Sequence, residues 1–287
     1  MSNFRRFDER DGLAHPAVYG VGQDSFGFLW LATLEGVDRF DGLEMRPFRP
    51  DPQTTGVTCG GPKVSVFVDR EDRVWIGSIG RGACVYDIHS GTWRAYFAPA
   101  ESGVDAVPDP AAVSVRDFLQ DAEGTVWMAT SAGLAALAPD ATSPQILRHD
   151  LQDANSLAHD DVYALAQGED GILWIGTRGG LNAYDPATRR FTHYRHDDAD
   201  PNSISSDRIF DVLVDGSGIV WLATWDGGLN RLDPSRGEIR SFRAGNDPGA
   251  LSSDQVMKLL VDSAGRLWVG TYGGGLDLFD PISARFV

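Results

Sequence analysis

Four residues of this chain have side chains suited to holding a flat or anionic ligand. Trp225 and Tyr272 carry rings that can stack on a sugar, and Arg81 and Arg178 carry guanidinium groups that pair with carboxylates. Each stands between a Thr or Ser and a Gly, in a segment of the form Thr-x-x-Gly, and Glu35 and Asp226 occupy the same kind of segment. A further copy has Ser131 and Ala132 there. The frame recurs while these residues change, as expected of a composite ligand site on loops held by a rigid scaffold. Solvated turn residues would read the same way. Arg208 and Lys258, near the starts of adjacent strands, add positive charge to the set.

Other chemistries find less support. A glycosidase needs two carboxylates about 5 to 10 Å apart, and Glu35 and Asp226 share the expected face but sit in distant repeats. His159-Asp160-Asp161 has no nucleophile partnered with it, so a Ser/His/Asp hydrolase is not indicated. Gly273-Gly274-Gly275 is followed by no Lys-Ser/Thr, so it is not a phosphate loop. The run from His196 to Asp200 has ligand potential for a cation but also reads as a solvated loop, and one carboxylate per Asp-x-x-Gly turn falls short of a calcium shell. No catalytic residue, metal or cofactor is assigned.

The elements that must position these loops are repeated. Trp30, Trp75, Trp127, Trp174, Trp221 and Trp268 are spaced by 45, 52, 47, 47 and 47 residues. Each lies in a run such as Leu173-Trp-Ile-Gly-Thr177, and the second residue after the Trp is always Gly or Ala. Six residues before the Trp stands Asp in five copies (Asp24, Asp69, Asp121, Asp215, Asp262), and Gly168 replaces it in the fourth. Three residues before it stands Gly in five copies, with Asp72 in the second. Asp-x-x-Gly is a hairpin turn. An apolar strand precedes it, with Val or Ile twelve residues before the Trp except at Lys63. A third strand follows, ending at Asp-Pro in the better-kept copies, then a fourth. Four short strands per unit of about 47 residues predict an all-β fold, a β-propeller. Six four-stranded blades are expected at 18–48, 63–96, 115–149, 162–194, 209–242 and 256–287, in one domain over 1–287. The six tryptophans, repeated in register, are expected between blades rather than in a binding ladder.

Composition narrows the partners. A net charge of −16 disfavours nucleic acid and anionic membranes. No stretch of 18 apolar residues occurs, and residues 1–11 are polar, without the apolar run of a signal peptide. The only two cysteines, Cys59 and Cys84, fit no zinc spacing and leave one bridge open.

The unit resembles the two-component regulator propeller repeat. Gly171-Ile-Leu-Trp-Ile-Gly-Thr-Arg-Gly-Gly-Leu-Asn-Ala-Tyr-Asp-Pro186 carries the pattern most fully, and Asn155-Ser-Leu157 and Asn202-Ser-Ile204 match its inter-blade loops. The second and third copies depart most, with Ala83 for Leu and Ala138-Pro139 for Asp-Pro. The resemblance implies an extracytoplasmic sensor region of a hybrid histidine kinase or diguanylate cyclase. It implies a small-molecule or glycan-fragment ligand, and a downstream signalling domain or receptor dimer partner. No kinase, receiver or cyclase motif is present, so the chain is expected to sense and not to catalyse. Phe4 and Phe7 share the spacing of a fourth strand, which predicts an outer strand over 4–8 and a truncated seven-bladed ring. A six-bladed ring is the rival arrangement.

Overall fold

The computed structural model describes residues 6–55, 57, 59–97 and 113–287. The tight turns and alternating apolar strands of each repeat give one four-stranded antiparallel sheet, its strands in chain order, and there are six such sheets. In the fourth they are Val162–Gln167, Leu173–Thr177, Gly180–Asp185 and Arg190–Tyr194. The propeller class is therefore borne out, with six blades. Among the described residues the only α-helical segment is Pro52–Thr55. The chain forms two compact units, Met1–Gln120 with Leu137–Ser143, and Asp121–Ala136 with Pro144–Val287. Residues 6–8 form no strand. Phe7 instead packs edge-on against Phe40 of the first blade at 5.2 Å, and Phe4 lies outside the described residues.

The repeated Asp does more than close a turn. One oxygen of Asp121 accepts the Thr125 N–H, and the other accepts the indole N–H of Trp127 at 2.7 Å. The same carboxylate–indole bond joins Asp24 to Trp30, Asp69 to Trp75, Asp215 to Trp221 and Asp262 to Trp268. A buried indole N–H needs an acceptor, so the six-residue offset fixes both the turn and the ring. Hydrogen bonds from the Trp268 indole and the Arg266 backbone hold the Asp262 carboxyl below the usual carboxylate range.

Alternation along a strand puts the Trp and the small residue two positions later on one face. In the second unit, Trp174, Leu181 and Ala164 of the fourth blade pack against Ile209, Val212, Val220 and Leu222 of the fifth. Trp221, Ala223 and Leu229 of the fifth pack against Leu259, Leu267, Val269 and Phe279 of the sixth. In the first unit, Trp30, Ala32 and Val37 meet Val66, Val74 and Ile76. Trp30, Trp174 and Trp221 thus sit between blades, as expected, while Trp268 is half-buried.

A latch missed in the sequence ties the entering loop of five blades to the third strand. Asn182 Oδ1 accepts the Ala158 N–H at 2.8 Å, and Asn230 Oδ1 accepts the Ser205 N–H at 2.9 Å. Asp277 and Asp38 do the same for Ser252 and Ala14. In the second blade the equivalent residue is Cys84, and it forms a disulfide with Cys59 of the entering loop. Lys63 reinforces that loop, donating to the carbonyls of Cys59 and Gly60 and to Ser78 Oγ. Burial pulls its amine down to about 8.

Asp38 is the imperfect latch. It is fully buried, and its Oδ1 has no partner, whereas Asn182 Nδ2 donates to the Ile175 carbonyl. Burial raises the Asp38 carboxyl pKa, against the Ala14 N–H and the Arg49 charge, which lower it. Asp38→Asn places an N–H where the orphan oxygen stands, opposite Leu31, the strand partner equivalent to Ile175. The expected gain is about 1 kcal/mol at pH 7. A carboxyl with a raised native pKa favours the fold below its unfolded value and loses that contribution as pH rises through the native one. The advantage of Asn should therefore shrink on acidification. Urea unfolding of both proteins at pH 7 and pH 4 checks this; a loss of stability at pH 7 would contradict it.

Candidate functional site

The expected loop face is best formed in the second unit. The N–H of Arg178 donates to the Asp161 carbonyl, that of Trp225 to Arg208, and that of Tyr272 to Gln255, at 3.0, 3.1 and 2.8 Å. Each variable turn residue therefore lies against the segment entering its own blade's inner strand. Those inner strands carry a bulge at their second residue, where register shifts between Val162 and Ala164, Ile209 and Asp211, and Val256 and Lys258. A bulge re-aims one side chain away from the ladder. The re-aimed residues are Tyr163, Phe210 and Met257.

Two of them join the turn residues in a row of rings. Tyr163 stacks on Phe210 at 4.8 Å and 17°, and Phe210 stacks on Trp225 at 5.1 Å and 26°. Trp225 meets Tyr272 at 5.9 Å and 43°. Tyr163, Phe210 and Trp225 are half-buried, and Tyr272 is 64% exposed. The Arg208 guanidinium lies 5.6 Å from the Trp225 ring centroid, a cation–π contact. Tyr163 donates its hydroxyl proton to Asp161 Oδ2 at 3.0 Å. Stacking consumes the faces of the inner rings, so the row offers ring edges along its length and an open ring face at Tyr272.

The remaining expected residues separate. Asp226 is exposed, accepts from Ser206 Oγ, and its carbonyl accepts from Arg243 at 2.8 Å. Arg178 is exposed at the head of the fourth blade's turn. Lys258 is committed to Asp211 at 2.8 Å, a tie between the fifth and sixth blades rather than a charge on the loop face. Glu35 and Arg81 belong to the first unit. There Glu35 lines a cavity of about 210 Å³ with Arg49, Lys63 and Trp93, and Arg81 does not reach it. Tyr163 and Phe210 were missed because they read as ordinary strand residues. Their shared place eleven residues before the repeat tryptophan was the available signal.

The acidic run builds its own loop. Asp197 and Asp200 accept the N–H groups of Ala199 and Asn202. His196 bonds the Ile204 carbonyl and Asp198 through its two ring nitrogens, and these contacts raise its pKa. Among the described residues, no group of three or more His, Cys, Asp or Glu could hold a metal ion.

Residues 156–179 and 250–273 match the family model described as two component regulator propeller, so the chain carries repeats of that type. Over 50 residues it is 36% identical to Histidine kinase P4 of Formosa agariphila, covering 17% of this chain and 4% of the kinase. The extracellular domain of a putative hybrid two-component system from B. thetaiotaomicron superposes with a TM-score of 0.57 and 19% identity, over 94% of this chain and 40% of that one. Virginiamycin B lyase from Staphylococcus aureus superposes with a TM-score of 0.66 and 13% identity, over 94% and 83%. At these identities the structures share the fold. The chain spans 4% of the kinase and 40% of that extracellular domain.

Proposed function

We propose that this chain, a bearer of two-component regulator propeller repeats, is the ligand-sensing part of a bacterial two-component receptor. Occupancy of its loop face is passed to a signalling module elsewhere in the receptor, and the chain itself carries out no chemistry. The observation that carries the reading is the row Tyr163, Phe210, Trp225 and Tyr272 with Arg208 upon it. Pre-stacked aromatics form a rigid surface that loses little entropy on binding, and a sugar's apolar face suits Tyr272 while Arg208 and Arg178 can take an anionic group. The Cys59–Cys84 disulfide supports an extracytoplasmic setting, because such bonds persist in oxidising compartments. Among the described residues no helix is long and apolar enough to cross a membrane. A catalytic reading is weaker: Glu35 and Asp226 lie in different units, and Asp226 is held by Ser206.

Titration with neutral and acidic oligosaccharides, followed by indole fluorescence and calorimetry, tests this. A binder should lose about fivefold in affinity in Trp225→Ala, in keeping with one aromatic contact of roughly 1 kcal/mol. Tyr272→Ala should weaken binding similarly, and its exposed ring makes it the safer variant for folding. Failure of every sugar and small acid to bind, or binding indifferent to both substitutions, would reject the site.

A further inference from the structure

Five of the six repeat tryptophans give their indole N–H to the Asp six residues earlier. Trp174 does not, because Gly168 stands where that Asp would be. Asp170 takes over only half of the missing role. Its Oδ1 accepts the Ile172 N–H at 3.1 Å, the turn-closing bond that the repeat Asp makes elsewhere, but it does not take the indole proton. The turn itself is kept, since the Gly168 N–H donates to Ile172 and that of Gly171 to Gly168, both at 3.0 Å. Trp174 is 4% exposed, and no described residue accepts its indole N–H. A donor so buried is rarely left unpaired. The nitrogen is not sealed in, for Asp38 Oδ1 is the only fully enclosed side-chain polar atom without a partner among the described residues. A Cβ on Gly168 would stand 3.8 Å from Trp174 Nε1, so the indole N–H borders the place the absent side chain leaves.

Gly168 opens on a cavity of about 760 Å³ between the third and fourth blades, within the second unit and at the end of the sheets opposite the variable turns. Glu123, Glu169, Asp170 and Asp185 line it, and no Lys, Arg or His does. Asp185 is taken up by Ala187 and Thr188. Glu123 and Glu169 are exposed and bond to no described residue. The recess therefore pairs uncommitted carboxylates with one buried donor that lacks an acceptor.

We propose that this recess binds a protonated amine with a hydroxyl on the neighbouring carbon, as in an amino sugar. The hydroxyl oxygen accepts the Trp174 N–H and passes its own proton to Asp170, while the ammonium lies against Glu123 and Glu169. The carboxylates repel an anion, and they repel the acid end of an α-amino acid equally. A bare cation leaves the indole unmet, and among the described residues no group of three acidic, His or Cys side chains could hold a metal ion. The site is apart from the ring row and does not depend on a ligand there.

Glucosamine is the probe, with glucose and N-acetylglucosamine as controls that lack the charge. Titration of the whole chain, followed by calorimetry and by the indole N–H resonances, should show saturable binding of glucosamine alone. The resonance that moves should be the one missing from Trp174→Phe. Gly168→Asp restores the repeat residue, fills the recess and gives the indole its acceptor. The added Cβ crowds only the carboxylate of Asp170, an exposed side chain that can swing outward. This variant should fold and bind no glucosamine, and it marks the Trp174 resonance if Trp174→Phe does not fold. Glu169→Gln should weaken binding about threefold, the scale of one exposed ion pair. No response to glucosamine at millimolar concentrations overturns the proposal. So does equal binding of all three sugars, a shift at Trp225 but not Trp174, or a folded Gly168→Asp that binds as well as the wild-type chain.

Discussion

Trp221→Ala should lower the stability of this chain by about 4 kcal/mol, the upper range for deleting a buried aromatic. Trp221 is 5% exposed, with Phe279 of the sixth blade at 5.1 Å and Phe242 of its own blade at 6.4 Å. Its removal opens a cavity between two sheets that neither can close alone, since each is fixed by its own hydrogen-bond ladder. It also removes the indole N–H that donates to Asp215 at 2.8 Å. The loss should be read from urea unfolding followed by far-ultraviolet circular dichroism. A change below about 1 kcal/mol would show that the ring does not pack between blades.

Gly176→Val should cost about 3 kcal/mol, through overpacking rather than a cavity. A Cβ at Gly176 would stand 2.8 Å from Ile209 Cγ2 and 3.0 Å from Val212 Cγ2, both on the neighbouring sheet. Those side chains are buried and have no room to turn aside. Gly270→Val is the internal control. It lies at the same repeat position, but a Cβ there would meet nothing closer than the Lys258 carbonyl at 3.5 Å, so it should cost under about 1 kcal/mol. Equal losses at the two sites would mean that backbone freedom, not contact between sheets, accounts for the glycine.

Physical pattern explains which parts of this were legible. The tryptophan spacing and the alternation around it set strand length, turn position and the face each side chain takes, because those depend on residues close in the chain. Trp225 and Tyr272 were visible as candidates for the same reason: they depart from a frame that is otherwise kept. Asp-x-x-Gly was legible as a turn, but its carboxylate–indole bond was not, although both residues lie within one repeat. The bond depends on how the hairpin curls the ring back over its own turn.

Tyr163 and Phe210 were hidden by a single-residue bulge, which changes where a side chain points without changing the spacing of the repeat. The latch of Asn182 and Asn230 onto the entering loops, and its replacement by the Cys59–Cys84 disulfide, joins segments about 25 residues apart. No local pattern reports such a pairing. The sequence by itself determined the six-fold unit, the sheets and the residues available to a ligand, because hydrogen-bond ladders and turn chemistry act over a few residues. Only the tertiary structure decided which rings meet and which charges are already paired. Those depend on surfaces brought together across whole repeats, where one shifted residue redirects a side chain.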